Sequence, residues 1–187
     1  MKKDEEFVFQ GERMAIADYR KMSREASVRA LGVFWRKTGL RQYQVADKYG
    51  INRVRFRMWA SRGCRGGPIL KKHYKLLIAM FYPHYEEKAH EIFWMSPASI
   101  IKAYRKHINL SKTAFAKQYG LDRYSISRWE KPGNPFSPAL NMHFVLVKQI
   151  LRFAVARYER RQARMRCKQQ KQSHQNKEDF KECVLNS

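Results

Sequence analysis

The feature of this sequence that most constrains its fold is an internal repeat of two segments offset by 70 residues. Residues 40–63 align with residues 110–133 without a gap, and seven of the 24 aligned positions are identical. The identities include a glycine, at positions 50 and 120, and a tryptophan, at positions 59 and 129. Because a turn and a buried helix face constrain such positions most, we interpret the repeat as a duplicated structural unit, present as a first copy and a second copy.

Each copy has the pattern of two short helices joined by a tight turn. In the second copy, Phe115 and Tyr119 place apolar groups on one face of the first helix, and Ile126 and Trp129 do so on the second helix. Gly120 lies between the two helices and can take the left-handed conformation with which many helices end. The sequence therefore predicts a helix–turn–helix unit in each copy.

The similarity extends beyond these units in both directions. Downstream, Leu70 and Leu76 align with Leu140 and Leu146, and upstream a helix ending at Thr38 aligns with residues 97–107. The predicted fold class is all-α, with two tandem helix–turn–helix modules of four to five helices packed together, a long C-terminal helix and a basic tail. The predicted segments are a charge-balanced extension (1–26), the first module (27–82), a linker helix (83–95), the second module with its long last helix (96–158) and a basic, partly disordered tail (159–187).

Apolar periodicity predicts further helices around the repeat. One covers residues 13–38 after a loosely ordered start, one covers residues 85–94, and the longest covers residues 139–164, after which the periodicity ends. The linker is aromatic and would be costly to leave in water, at about 25 cal/mol per Å² of apolar surface, so we expect the modules to pack together. Near the C-terminus, Phe180, Val184 and Leu185 are expected to dock weakly.

The chain carries a formal net charge of +23 at pH 7, which indicates a polyanionic partner. The net charge is 0 for residues 1–26, +10 for 27–95, +8 for 96–156 and +5 for 157–187, so the excess lies on the modules as well as on the tail. Nucleic acid is the expected partner, and an anionic membrane surface is the weaker alternative. The sequence has no signal-peptide pattern and no run of roughly 18 apolar residues, so we expect a cytoplasmic protein.

Cysteine spacing and catalytic motifs argue against metal binding and catalysis. Cys64, Cys167 and Cys183 are widely spaced, with no Cys-x-x-Cys pair, so neither a disulfide framework nor a metal site is expected. The sequence has no Walker glycine loop and no Gly-x-Ser-x-Gly motif, and residues 97–155 hold only Asp122 and Glu130 as acids. We therefore expect no enzymatic activity and no cofactor.

The second copy carries a family resemblance. Its landmarks are Leu110, Ser111, Ala116, Gly120, the run Ile-Ser-Arg-Trp-Glu at residues 126–130, and Pro138. On these landmarks, residues 97–155 resemble the helix–turn–helix domains of the Cro and phage-repressor (lambda-repressor-like) family of DNA-binding proteins. The first copy matches this family less well, because Met58 and Ala60 replace the arginine and the glutamate that flank the tryptophan.

The resemblance implies where DNA contacts lie. In such proteins the second helix of the unit enters the major groove, and the start of the first helix meets phosphate. The implied base contacts are Arg53, Val54, Arg55, Arg57, Arg123, Tyr124, Ser125 and Ser127. The implied phosphate contacts are Gln42, Tyr43, Lys112, Thr113 and Arg128, to which the basic end of the last helix adds Arg160, Arg161 and Arg164.

Arg53 and Arg123 occupy the same position in the two copies. The arginine fork matches O6 and N7 of guanine, so the two modules are expected to prefer related, guanine-containing subsites. The alternative is that either arginine contacts only phosphate. The sequence is compatible with a built-in pseudo-dimer over two half-sites and equally with a direct-repeat arrangement.

The predicted function is sequence-specific binding of double-stranded DNA, in a transcriptional regulator of bacterial or mobile-element origin. The alternative is an accessory DNA-processing protein that binds an origin of transfer or replication on a plasmid, phage or integrative element and recruits an enzyme. RNA binding is disfavoured, because the aromatic residues fall on inward helix faces. Further expected partners are a second copy of the chain and a recruited polymerase or DNA-processing enzyme, with no membrane and with a nucleoid-associated location in the cytoplasm.

Overall fold

The computed structural model describes the backbone of residues 6–9, 12–61 and 66–185 and the side chains of residues 14–61 and 66–172. The protein is mostly helical, which confirms the predicted all-α class. Two short antiparallel strands, β1 (Glu6–Phe9) and β2 (Glu12–Ala15), come first. The helices are α1 (Ile16–Thr38), α2 (Gln42–Lys48), α3 (Arg53–Trp59), α4 (Leu70–Phe81), α5 (Ala89–Ile92), α6 (Pro97–His107), α7 (Lys112–Gln118), α8 (Arg123–Trp129) and α9 (Phe144–Leu185).

The repeat has the same backbone in both copies. The bounds of α2 and α3 become those of α7 and α8 when shifted by 70 residues. Gly50 and Gly120 follow the first helix of each pair with φ of +62° and +58°, in the left-handed region that favours glycine. The side chains of Asn52 and Asp122 each accept a hydrogen bond from the backbone N–H three residues later and so cap the second helix. Equivalent residues therefore form both turns.

The regular part of the last helix begins at an equivalent residue in both copies. Helix α4 has non-helical torsion angles at His73 (φ −123°, ψ 28°) and is regular after it. Helix α9 begins at Phe144, the equivalent of Tyr74. The predicted start at residue 139 is therefore too early, because residues 139–142 form a bridge and a turn instead.

A reciprocal backbone contact joins the two copies. Ile69 and Ala139, which are equivalent residues, form an isolated antiparallel bridge. Two N–H to carbonyl hydrogen bonds flank it, from Leu70 to Pro138 at 3.1 Å and from Leu140 to Pro68 at 2.9 Å. An antiparallel bridge has local twofold symmetry, and each of these bonds is the equivalent of the other. An approximate twofold axis therefore relates the two copies at this point.

The packing of the helices is consistent with the same twofold relation. Helix α1 packs against α4 and α9, and α6, which takes the place of α1 in the second copy, also packs against α4 and α9. Leu70, Leu77 and Leu146, which come from both copies, lie in one buried cluster. A smaller cluster around Phe56 completes the first copy, and Met80 packs against both clusters. Residues of both copies therefore contribute to one buried cluster.

Three further segments differ from their predictions. Glu6–Phe9 and Glu12–Ala15 form the paired strands β1 and β2 within the segment predicted to be loosely ordered, and α1 begins at Ile16 rather than residue 13. The run Phe-Val-Phe in the sequence is a strand signal. The linker helix predicted over residues 85–94 is a 3-10 turn, Pro83–Tyr85, followed by the four-residue α5.

The third difference is the tail. Helix α9 extends to Leu185, beyond the predicted end at residue 164, and residues 144–185 contain neither glycine nor proline and are rich in arginine, lysine and glutamine. The side chains of Phe180, Val184 and Leu185 lie outside the described residues, so their docking stays a prediction.

Candidate nucleic-acid interface

The second helix of each pair has a buried face and an outer face. In α3, Phe56 and Trp59 are buried, and in α8 their equivalents Ile126 and Trp129 are buried. The residues predicted to contact bases lie elsewhere on these helices: Arg53, Val54, Arg55, Arg57, Arg123 and Tyr124 are exposed, and Ser125 and Ser127 are half-buried. Tyr124 protrudes most, with 81% of its surface exposed. The structure thus leaves all eight residues accessible on two equivalent helices.

A histidine holds the second helix of each pair against the last helix of its copy. The His73 ring meets the Trp59 ring edge-on at 5.0 Å between centroids, and the His143 ring meets Trp129 at 5.4 Å. Both histidines are buried, and burial lowers the pKa of each imidazole to about 4, so both are neutral at pH 7. The sequence predictions do not include this pair, although the two histidines are identical residues at the offset of 70.

Arg53 and Arg123 have different surroundings despite their equivalent positions. Arg53 donates to both carboxylate oxygens of Asp47, from Nε at 2.9 Å and from Nη2 at 2.7 Å, and its guanidinium lies 5.3 Å from the Tyr43 ring. The hydrogen bond from Arg53 lowers the pKa of the Asp47 carboxyl. In the second copy Lys117 stands in place of Asp47, and Arg123 pairs with no carboxylate in the described part of the chain.

Within the second copy, a buried ion pair ties α6 to the end of α8. Arg105 donates to Glu130 from Nε at 2.6 Å and from Nη2 at 3.1 Å, and from Nη1 to the Leu110 carbonyl at 2.8 Å. The two side chains are 11% and 4% exposed. Lys112, predicted to contact phosphate, places Nζ 3.3 Å from Ser127 Oγ and 3.8 Å from the Glu130 carboxylate. This predicted phosphate contact and a predicted base contact are therefore adjacent.

The first copy has a hydrogen bond at the equivalent position, but from a tryptophan instead of an arginine. Trp35, the equivalent of Arg105, donates from Nε1 to the Leu40 carbonyl at 2.7 Å, and Leu40 is the equivalent of Leu110. Ala60 occupies the position of Glu130. The neutral indole of Trp35 needs no counter-charge, so a glutamate is not required at position 60. This accounts for the alanine beside Trp59, where the second copy has Glu130.

The other predicted phosphate contacts near the helix pairs are accessible. Thr113 is exposed, Tyr43 is 43% exposed and Gln42 is half-buried, and all three lie in the first turn of α2 or α7. The guanidinium of Arg128 lies 3.8 Å from the ring of the exposed Phe136. Its position near the end of α8 is thus fixed by an aromatic contact.

Arg160, Arg161 and Arg164 lie apart from the helix pairs, on α9. They are exposed and line a cleft of about 520 Å³ between α6 and α9. The other lining residues are Trp94, Ala103, Lys106, His107, Phe153 and Arg157. Trp94 belongs to the aromatic linker that the sequence predicts to be covered by packing, but it is exposed, and only the structure brings it to the arginines of α9.

The described residues show no feature of a metal site or a membrane span. They contain no group of three or more histidine, cysteine, aspartate or glutamate residues that could hold a metal ion. Cys167 is exposed with a free thiol, whereas Gly63, Cys64 and the Cys183 side chain lie outside the described residues. No helix in the described part of the chain is both long enough and apolar enough to cross a bilayer.

Comparisons with protein-family models, curated proteins and solved structures find no match to this chain. Its function is therefore inferred from the geometry of the two helix pairs and from charge.

Proposed function

We propose that this protein binds double-stranded DNA sequence-specifically through α3 and α8 and acts as a transcriptional regulator in a bacterial cytoplasm or on a mobile element, associated with the nucleoid. The observation that carries the proposal is the pair of equivalent helices, each with a buried apolar face and an accessible outer face. The net charge of +23 supports a polyanionic partner. An α-helix with accessible polar side chains fits the width of the major groove.

The approximate twofold axis favours an inverted arrangement of the two subsites. The reciprocal bridge at Ile69 and Ala139 relates the copies by rotation, not by the translation that a direct repeat would need. Twofold-related reading helices contact half-sites of opposite direction, about 34 Å apart when they occupy successive major grooves on one side of the duplex. We therefore propose that one chain contacts an inverted repeat as a built-in pseudo-dimer.

The two half-sites are expected to differ in sequence. Arg53 and Arg123 are the only identical pair among the eight predicted base contacts, and each offers the fork that fits guanine, worth about 1–3 kcal/mol of discrimination. The remaining positions differ, with Val54 opposite Tyr124 and Arg55 opposite Ser125. The proposed motif is inverted in geometry and unequal in sequence.

Unbiased selection of binding sites from random double-stranded DNA, at near-physiological salt, tests the proposal. The parent protein should enrich a motif with two subsites, and Arg53→Ala and Arg123→Ala should each lose one subsite. Lys21→Ala, which removes an exposed cation of α1, is the matched control and should leave the motif unchanged. Absence of any enriched motif would refute sequence specificity. Uniform weakening with an unchanged motif would show that both arginines contact only phosphate.

The second candidate function, marking an origin of transfer or replication for a recruited enzyme, is favoured by α9. Beyond Tyr158, the described side chains of this helix are almost all exposed, so they offer a surface to a further protein. Locating the selected motif in the DNA that carries the gene separates the two functions. A promoter location supports regulation, and an origin or nicking site supports the accessory role.

A further inference from the structure

The two copies differ in the charge of one equivalent cleft. In the second copy, a cleft between α6 and the α7–α8 pair is lined by Lys102, Arg105, Lys112, Ser127, Glu130 and Lys131. The cleft in the first copy has Gly32, Trp35, Gln42 and Ala60 at the positions of Lys102, Arg105, Lys112 and Glu130. Its charged lining residues, Arg29, Arg36 and Glu25, lie at other positions. Ser61 takes the position of Lys131. Three lysines beside α8 therefore have no cationic equivalent beside α3.

Helix α6 connects this cleft to the basic cleft on α9. Lys102 lines the cleft beside α8, and Lys106 lines the cleft beside α9. Residues four apart lie on the same face of a helix, and both lysines are exposed. The two clefts thus form one basic track, from Lys112 beside α8, across α6, to the arginines of α9.

The nearby carboxylates are turned to other partners. Glu159, on α9, accepts a hydrogen bond from the hydroxyl of Tyr85. Glu91 pairs with Lys88 at 3.1 Å and accepts from the Tyr158 hydroxyl at 3.0 Å, and these contacts, with a weaker contribution from the charge of Arg161, lower the pKa of its carboxyl. No carboxylate lines the α9 cleft among the residues that the structure describes. Beside α8, Lys112 lies 3.8 Å from the Glu130 carboxylate, which Arg105 already pairs. The other cations of the track form no ion pair among the described residues and are therefore available to an external polyanion.

Trp94 positions one of these cations. The guanidinium of Arg161 lies 4.5 Å from the Trp94 ring centroid, and Trp94 is itself 59% exposed. An arginine over an aromatic ring keeps its N–H groups free to donate at their edge, where they can meet phosphate oxygens. The Trp94 contact therefore orders Arg161 without using its hydrogen-bond donors.

We propose that this basic track carries the DNA backbone beyond the α8 subsite, so that the protein covers a longer stretch of duplex on the α8 side than on the α3 side. The inference rests on the proposed function, since it takes α8 as one end of the bound site. Duplex DNA is the occupant that fits, because the track is continuous with α8 through Lys112 and Ser127. Its cations act on phosphate and add affinity without adding sequence information.

Hydroxyl-radical footprinting of the full chain on the selected motif tests this inference. Protection should extend further outside the α8 subsite than outside the α3 subsite. Removing the flanking duplex outside α8 should weaken binding, and removing the flank outside α3 should have a smaller effect. A symmetric footprint with equal effects of both truncations would overturn the inference and leave the proposed function intact. If no motif is selected at all, both fail together.

A triple variant, Arg160→Ala/Arg161→Ala/Arg164→Ala, identifies the residues. It should lose the flank protection, keep the motif and lower the slope of log K against log salt by about 2–3, at roughly 0.9 for each phosphate that is no longer neutralised. The matched control is Arg166→Ala/Lys168→Ala/Lys171→Ala, which removes the same charge further along α9 from residues that do not line the cleft. Equal effects of the two triple variants would show that only the total charge of α9 matters and would overturn the assignment to the cleft. Loss of single-stranded DNA binding with unchanged duplex flanks would instead assign the cleft to single strands and refute the proposal.

Discussion

Replacing Arg105 by alanine is expected to destabilise the protein by about 3 kcal/mol. The arginine makes two hydrogen bonds to the Glu130 carboxylate, at 2.6 and 3.1 Å, and the Glu130 side chain is only 4% exposed. Its removal leaves a buried carboxylate, and breaking a buried pair in this way costs about 3–5 kcal/mol. We expect the lower end of this range, because Lys112 Nζ remains 3.8 Å from the carboxylate.

Urea denaturation followed by far-UV circular dichroism measures this destabilisation. With an m-value of about 2 kcal/mol/M, the midpoint should fall by about 1.5 M. Lys106→Ala is the matched control, since it removes the adjacent, exposed cation of α6 and should change the free energy of unfolding by less than about 0.5 kcal/mol. An Arg105→Ala variant within about 1 kcal/mol of the parent would refute the assignment of a stabilising role to the pair.

The first copy provides a rescue for this variant. The double substitution Arg105→Trp/Glu130→Ala installs the residues found at Trp35 and Ala60, where the indole donates to the equivalent carbonyl at 2.7 Å. Replacing a buried ion pair by a well-packed apolar pair is often neutral, so the double variant should lie within about 1.5 kcal/mol of the parent. A double variant as unstable as Arg105→Ala would show that the two tethers are not interchangeable.

Three further predictions concern single residues. His143→Phe should reduce the acid sensitivity of the fold. The His143 imidazole, whose pKa is lowered to about 4, stays neutral in the folded state, whereas in the unfolded chain it takes up a proton below about pH 6.5. Between pH 7 and pH 5 the parent should therefore lose about 2 kcal/mol more unfolding free energy than the variant, as measured by denaturant titration. Gly50→Ala should cost about 1–2 kcal/mol of unfolding free energy while leaving the selected motif unchanged, because φ is +62° and an added Cβ meets no atom within 4 Å. Asp47→Asn should release Arg53 and tighten binding to the α3 subsite, as measured by gel-shift titration. The control Asp18→Asn, which removes an exposed acid of α1, should have a smaller effect, and equal effects would assign the gain to net charge alone.

The sequence predicts the helix pairs well because their positions are locally constrained. Gly50 and Gly120 need positive φ, and Trp59 and Trp129 lie at fixed helical spacing from the turn, so identity at these positions indicates the same backbone. The accessible faces follow from the same spacing. Prediction is weaker at the ends of the chain, where the helical backbone of α9 depends on propensity rather than on apolar periodicity.

Other features depend on contacts between distant residues, which periodicity does not report. That Arg105 and Trp35 make equivalent contacts can be recognised only from the structure, in which their side chains donate to the equivalent carbonyl groups of Leu110 and Leu40. The relative orientation of the copies depends on two backbone hydrogen bonds at Pro68 and Pro138, whose sequence signal is a single pair of prolines at the repeat offset. A bond between main-chain groups imposes little on side-chain identity, so inverted and direct arrangements are equally compatible with the sequence.

The two copies are related by an approximate twofold axis but carry different residues on their outer surfaces. In this respect the chain differs from a dimer of identical subunits. The twofold relation is kept by residues that are equivalent in both copies, namely Leu70 and Leu140, whose N–H groups donate to the carbonyl groups of Pro138 and Pro68. The outer residues can differ between the two copies because they take no part in these backbone contacts. In the first copy Arg53 already has a partner in Asp47, whereas in the second copy lysines surround α8. Under the proposed function, α8 and the basic track would supply most of the affinity, and α3 would set the distance and direction of the second subsite.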